Sequence, residues 1–135
     1  MTTQVTQGIK IGVQIFPLKN HHFVSSQSQQ GYIEKYFFSY RIRIENCSGQ
    51  TVQLLKRHWE IFDSCGIYRE VSGEGVVGEK PMLLPNDVYE YESACGFASE
   101  IGKMKGTYLM EKKSDGKLFT VNIPTFEMYY PHKLN

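Results

Sequence analysis

Apolar and polar residues alternate with a period of two along most of the chain, the spacing of a strand with one buried face. Ile9, Ile11, Val13 and Ile15 alternate with Lys10, Gly12 and Gln14, and the run stops near Pro17. Tyr36, Phe38, Tyr40, Ile42 and Ile44 do the same against Ser39, Arg41, Arg43 and Glu45, and Asn46-Cys47-Ser48-Gly49 closes that strand as a turn. Val52 to Asp63 also reads as a strand, but its apolar phase changes. Val52 and Leu54 share one face, while Leu55, Trp59 and Ile61 share the other. One extra residue flips every later side chain, so the pattern predicts a bulge near Leu54-Leu55. Asp63-Ser64-Cys65-Gly66 reads as a hairpin turn into Ile67 to Val71. Tyr89, Tyr91, Ser93, Cys95 and Phe97 make a further strand, and Met104, Gly106, Tyr108 and Met110 another. Lys113-Ser114-Asp115-Gly116 turns the chain, with Asp-Gly at its tip, into Phe119, Val121 and Ile123. Pro124 is expected to end that run.

No segment keeps a 3.6-residue apolar period over a helical length. About seven to nine short strands with regular turn signals predict an all-β fold, an antiparallel β-sandwich. Residues 1–135 are expected to form a single domain with its core over about 8–130. Residues 20–35, with Asn20, His21 and His22 followed by Ser and Gln, predict a long polar loop of high mobility.

Composition changes this picture little. Nine Tyr and eight Phe together with twelve Gly favour strands and turns. Fifteen basic residues against fourteen acidic leave a net charge of +1. No long-range field would steer the chain onto nucleic acid or an anionic membrane, so neither is an expected partner. Cys47, Cys65 and Cys95 are odd in number and widely spaced, a pattern that suits reduced thiols in a cytosol. Met1-Thr2-Thr3-Gln4-Val5 lacks the basic and apolar segments of a signal peptide, and no run is long enough to span a bilayer. A cytoplasmic location is the expectation.

Gly73-Glu74-Gly75-Val76-Val77-Gly78 matches GxGxxG. A dinucleotide site needs those glycines to end a strand and open a helix, whose amides hold a pyrophosphate. Pro81 and Pro85 leave no room for such a helix. Nor is this a phosphate loop of the lysine-threonine type, because Gly78-Glu79-Lys80-Pro81 lacks the Ser or Thr that would bind magnesium. The run therefore predicts a connection that needs positive φ or close backbone packing. An anion nest of consecutive amides is the alternative, with Gly73, Gly75 and Gly78 supplying backbone and Arg57, Arg69 and Lys80 supplying charge.

Other chemistry is sparse. In Arg57-His58-Trp59 alternation places Arg57 and Trp59 on one face and His58 on the other, with Trp59 in the core. His58 has no carboxylate or nucleophile at a telling spacing. Adjacent His21 and His22 point apart in an extended chain, His58 and His132 are isolated, and no CxxC or HxxxH exists. Cys65 sits in a turn without a base or oxyanion site indicated near it. The outward face of the Tyr36–Ile44 run carries Phe37 alone among aromatics, too little to stack nucleic-acid bases. No catalytic residue, metal site or cofactor is expected.

The run Val52-Gln53-Leu54-Leu55-Lys56-Arg57-His58-Trp59, then Val71-Ser72-Gly73-Glu74-Gly75-Val76-Val77-Gly78-Glu79-Lys80-Pro81, resembles the ApaG family. Tyr89-Glu90-Tyr91 with Ser93 and Cys95, Met104 to Met110, and Ile123-Pro124-Thr125-Phe126 continue the resemblance in order. It implies a fibronectin type III-like or immunoglobulin-like sandwich. It also implies a small bacterial protein without established enzymatic activity, linked genetically to cobalt tolerance and magnesium efflux. Similar domains in eukaryotic F-box proteins and in a polymerase-δ-interacting protein look like protein-interaction modules, and the glycine run has prompted a nucleotide-binding proposal for the family. The longer polar loop around residues 20–35 departs from the family pattern. The combined expectation is a non-catalytic module that binds another protein; the alternative is phosphate or nucleotide binding at the glycine run. Edge-strand pairing into a homodimer is left open.

Overall fold

The computed structural model describes residues 1–18, 26–27 and 33–131. Eleven strands run in the order β1 (Thr2–Thr6), β2 (Ile9–Pro17), β3 (Ser26–Gln27), β4 (Ile33–Glu34), β5 (Tyr36–Asn46), β6 (Val52–Asp63), β7 (Tyr68–Glu74), β8 (Met82–Leu83), β9 (Val88–Phe97), β10 (Ile101–Lys112) and β11 (Leu118–Tyr129). All pairings are antiparallel. One sheet has the order β1-β2-β5-β9; the other has β11-β10-β6-β7, with the short β8 also on β6. β3 and β4 form a separate two-stranded ribbon. The all-β sandwich read from the period-two pattern is the observed fold. Of the polar stretch 20–35, only Ser26–Gln27 and Ile33 to Lys35 are described; His21, His22 and His132 lie outside the described residues.

The inward faces are the predicted ones. Ile9, Ile11, Val13, Phe38, Ile42 and Ile44 face Leu54, Trp59, Tyr108 and Met110 across the core. Trp59 meets Tyr40 and Phe126 edge-on at its centre, and Tyr40 and Phe126 are tilted on each other, with centroids 5.6 to 5.9 Å apart. The predicted bulge is present: Leu109 pairs Lys56 while Met110 pairs Leu54, so Leu55 is the extra residue. Val52 and Leu54 before it and Trp59 and Ile61 after it are thereby buried on one side.

The fold departs from expectation in two places. Pro124 does not end its strand. β11 continues to Tyr129, because Pro124-Thr125 form a second bulge opposite Lys105, between the pairs Gly106–Ile123 and Met104–Phe126. An edge strand tolerates a residue without N–H, and the extra residue turns Phe126 and Met128 inward. The other is an addition, β1, on which the residue pattern is silent because its residues are mostly exposed and carry no apolar alternation. A two-residue turn folds it onto β2: Gln7 and Gly8 have φ of 48° and 81°, the positive pair that hairpin twist favours.

Two buried polar side chains fasten crossings between the sheets. Asn46 ends β5, and Asp63 ends β6. On the β1–β11 side the sandwich is closed, with the Asn122 amide donating to Thr6 Oγ1 at 3.2 Å. On the opposite side, β9 and β7 are the end strands of their sheets, and a cleft opens between them.

Candidate functional site: a cleft between two sheet edges

The cleft has a volume of about 500 Å³. Its walls follow from register. Arg57, Trp59 and Ile61 face inward on β6, so their partners Gly73, Val71 and Arg69 do so on β7. On β9 the inward set is Tyr91, Ser93 and Cys95. Tyr40, Trp59 and Met104 form the floor. Val71 faces inward yet is 40% exposed, which shows that the sheets part here.

Arg69 closes one end. Its guanidinium donates to the Gly96 carbonyl and to Glu34 Oε2, each at 2.7 Å, and approaches Cys95 Sγ at 3.2 Å. Its charge is matched by Glu34, and both side chains are largely buried. Arg57 stands at the other end, four residues along β6, or about 13 Å away. Its Nη1 donates to the carbonyls of Glu74 at 3.0 Å and Gly75 at 2.9 Å. Among the described residues its other N–H groups meet no acceptor and no carboxylate pairs with it. Burial raises the pKa of the Tyr40, Tyr91 and Tyr108 hydroxyls, and the positive charge of Arg57 opposes that rise in part by favouring their ionised forms.

The glycine run turns out to serve Arg57. The guanidinium lies on Gly73, where a Cβ would come within 2.7 to 2.8 Å of it. Gly75 has φ +63°, and a Cβ there would meet the Glu79 carbonyl oxygen. Val76 and Glu79 exchange amide–carbonyl bonds of 2.8 and 2.9 Å around Val77-Gly78, whose φ values of 48° and 77° make another two-residue hairpin turn. The Gly75 amide donates to the Leu55 carbonyl at 2.8 Å. The amides of Gly75, Val76 and Glu79 are thus engaged in backbone pairing, and carbonyls point at Arg57. Lys80 reaches Glu74 at 2.9 Å, outside the cleft. Of the six candidate residues, Gly73, Gly75, Gly78 and Arg57 are gathered about one hairpin, Lys80 flanks it, and Arg69 is at the far end.

Burial dominates the titration of the inward groups. It raises Tyr91 and Tyr108, whose hydroxyls share a hydrogen bond, and pushes the Cys95 thiol from 9.0 up to about 11 against the pull of Arg69. Between about pH 9 and 11 the folded chain keeps the Cys95 proton that the unfolded chain releases. The stability that this thiol contributes is therefore expected in full below about pH 9 and lost as pH rises through about 11, with the tyrosines extending the loss. Urea unfolding across this range should show the decline, and Cys95→Ala should make it shallower; equal slopes would assign it elsewhere.

Sequence reading missed one cluster on the outer face. His58 Nδ1 lies 2.7 Å from Ser72 Oγ, and His58 Nε2 lies 3.5 Å from Glu70 Oε2. Cross-strand register alone creates it, since His58 pairs Ser72 and Glu60 pairs Glu70. The order Ser-His-carboxylate resembles a triad, but acyl transfer also needs donors for an oxyanion. His58 and Ser72 border an open concavity of about 400 Å³ with Lys56, Thr107 and Thr120, but the amides here run in the β6–β7 ladder, and the His58 and Glu70 side chains are 39% and 53% exposed. We read it as a solvated polar ladder. Among the described residues, no three His, Cys, Asp or Glu side chains come together as metal ligands. No helix among them is long and apolar enough to cross a membrane.

Comparison with known proteins places this geometry. The chain is 42% identical over 133 residues to Protein ApaG of Paramagnetospirillum magneticum, covering 98% of this chain and 96% of the relative. It is 41% identical, with the same coverage, to Protein ApaG of Brucella canis. The X-ray structure of the Northeast Structural Genomics Consortium target SoR45 superposes with a TM-score of 0.79 at 35% identity, covering 98% of this chain and 94% of that one. The profile described as the ApaG domain matches residues 25–112, a span that contains β7, β9, Arg57 and the whole glycine hairpin. With the family profile over more than half its length and relatives matched almost end to end, the chain belongs to the ApaG family.

Proposed function

We propose that the chain is a non-catalytic binding module that recognises another protein, taking an extended segment of it along the cleft between β7 and β9. The carrying observation is that two end strands, each with an edge that no described strand pairs, flank an open cleft with an aromatic floor. Main-chain groups on a free edge supply hydrogen bonds to an added strand, and pockets for alternate side chains supply selectivity. β9 pairs β5 over ten residues without a bulge, and Glu90 and Glu92 are the charges on its outward face. Edges that must stay unpaired are shortened, bulged or given inward charges. A cytoplasmic location fits this reading, and a part in cobalt tolerance or magnesium efflux would run through the bound protein. A photo-crosslinking residue at Val71 should trap one protein reproducibly from native lysate, while the same residue at Glu127, on the far edge, should not. Equal yields at both positions would remove the cleft from the recognition surface.

A second reading, phosphate or pyrophosphate binding at this hairpin, is favoured by Arg57, whose N–H groups beyond Nη1 face no acceptor among the described residues. Amide shifts at Gly73, Gly75 and Gly78 on addition of pyrophosphate would support it, and unchanged spectra at millimolar ligand would dispose of it.

A further inference from the structure

We infer that the segment taken by the cleft carries a carboxylate that seats on Arg57, with an apolar side chain beside it that packs on Val77; this rests on the docking reading above.

The first observation is electrostatic. Arg57 is half-buried and held in one pose by the Glu74 and Gly75 carbonyls and by the bare surface of Gly73. A guanidinium offers five N–H donors in a fixed fork that matches a carboxylate. Among the described residues, Nη1 alone is engaged here. An uncompensated cation half out of water is unfavourable in isolation, and an arriving anion relieves it. The other inward cation of the cleft, Arg69, is matched by Glu34; Lys80 and Lys56 share Glu74 outside it, and Arg41 pairs with Glu92. Among the described residues that line the cleft, Arg57 is therefore the cation left for a ligand, and no backbone reorganisation is needed to present it.

The second observation is conformational. Val77 has φ 48° and is 64% exposed. A β-branched residue in the left-handed region is strained, and Asn or Gly suits that turn position better. Exposure at this level returns little packing energy to the free protein. Val77 lines the mouth of the cleft on the Arg57 side. Strain held at an exposed apolar side chain beside an open charge is the pattern of a contact completed by a partner.

The polypeptide source is chosen over a free oxyanion because the floor is aromatic and aliphatic and the flanks are strand edges. A small phosphate would use neither.

Panning a phage-displayed dodecapeptide library on the immobilised full chain tests this, followed by fluorescence polarisation and NMR mapping of the enriched peptides. The expected result is a consensus with Asp or Glu near an apolar residue, and amide shifts on β7 and β9. Changing the peptide's acidic residue to its amide should weaken binding at least about tenfold, with the protein untouched. The same change should add nothing further in Arg57→Gln. Val77→Asn should raise the melting temperature while lowering affinity. Peptides that map to the cleft without an acidic residue and ignore Arg57→Gln would overturn the carboxylate seat and leave the docking reading standing. Val77→Asn with unchanged affinity would overturn the apolar contact. No enrichment, or shifts away from β7 and β9, would overturn the docking reading itself. Inorganic pyrophosphate shifting Arg57 and Tyr91 where acidic peptides do not would reassign the seat to a free oxyanion.

Discussion

Asn46→Asp is expected to destabilise the protein by about 4 kcal/mol, lowering its melting temperature by roughly 14 °C. Asn46 is fully buried, and every hydrogen-bonding position of its amide is used. Nδ2 donates to the Gln50 carbonyl at 2.7 Å and to the Leu83 carbonyl at 3.0 Å. Oδ1 accepts from the Ser48 amide at 3.0 Å and from Ser48 Oγ at 2.6 Å. The side chain thus ties the β5–β6 turn to β8, which belongs to the other sheet. Aspartate has the same shape but loses both donors and sets a charge against two carbonyl oxygens. Burial raises the folded pKa of that new carboxyl above its unfolded value near about 3.9. The folded variant then binds the extra proton, so its deficit is full at neutral pH and shrinks as pH falls through the raised pKa. Urea midpoints at two pH values measure both effects. A deficit below about 1 kcal/mol, or one that grows in acid, would contradict the network.

Asp63→Asn is the next largest change, with an expected loss of about 3 kcal/mol, or roughly 10 °C. Asp63 is 7% exposed, and no cation pairs with it among the described residues. Its carboxylate is satisfied by donors instead: the Ala98 amide at 2.7 Å, the Ser99 amide at 3.2 Å, and the Ser99 hydroxyl. These lie on the connection by which the chain leaves β9 in one sheet for β10 in the other. Asparagine can keep one oxygen there but must turn an NH₂ toward an N–H, so one buried donor is left unmatched. Thermal unfolding followed at two wavelengths would show the loss. A variant within about 0.5 kcal/mol of the parent would mean that water replaces those bonds.

Arg57→Gln differs from both, because its principal effect belongs to binding. The contrast between Arg57 and Arg69 explains why. In sequence Arg69 is the one near the glycine run, and Arg57 can approach it only across a sheet. Arg69 is paired with Glu34, a partner remote in the chain. Arg57 is held by carbonyls and, among the described residues, by no carboxylate. Proximity in sequence favours Arg69, and it is the β6–β7 register that sets Arg57 against Gly73 instead.

Much of the fold could be read from residue order, because a half-buried strand records its two environments in alternate positions. Ile9–Ile15, Tyr36–Ile44 and Tyr89–Phe97 show this directly. Even the Leu55 bulge was legible, since a shift in pairing must appear as a shift in apolar phase. The Pro124 bulge has the same cause but was hidden, because a proline there reads equally as a stop. β1 was invisible for another reason: an exposed edge strand buries neither face, so nothing constrains its pattern.

Residue order was enough for an all-β sandwich, its inward residues and a glycine run that opens no helix. The surroundings of that run came from the packed fold. Two of the run's glycines take their roles from neighbouring atoms, with the Arg57 guanidinium over Gly73, the Glu79 carbonyl beside Gly75 and the Leu55 carbonyl on the Gly75 amide, while Gly78 serves its turn through a φ of 77°. Alternation records which residues leave water, a local property of each position. It carries no record of which charges find partners across the sheets, and that pairing leaves Arg57 facing the cleft.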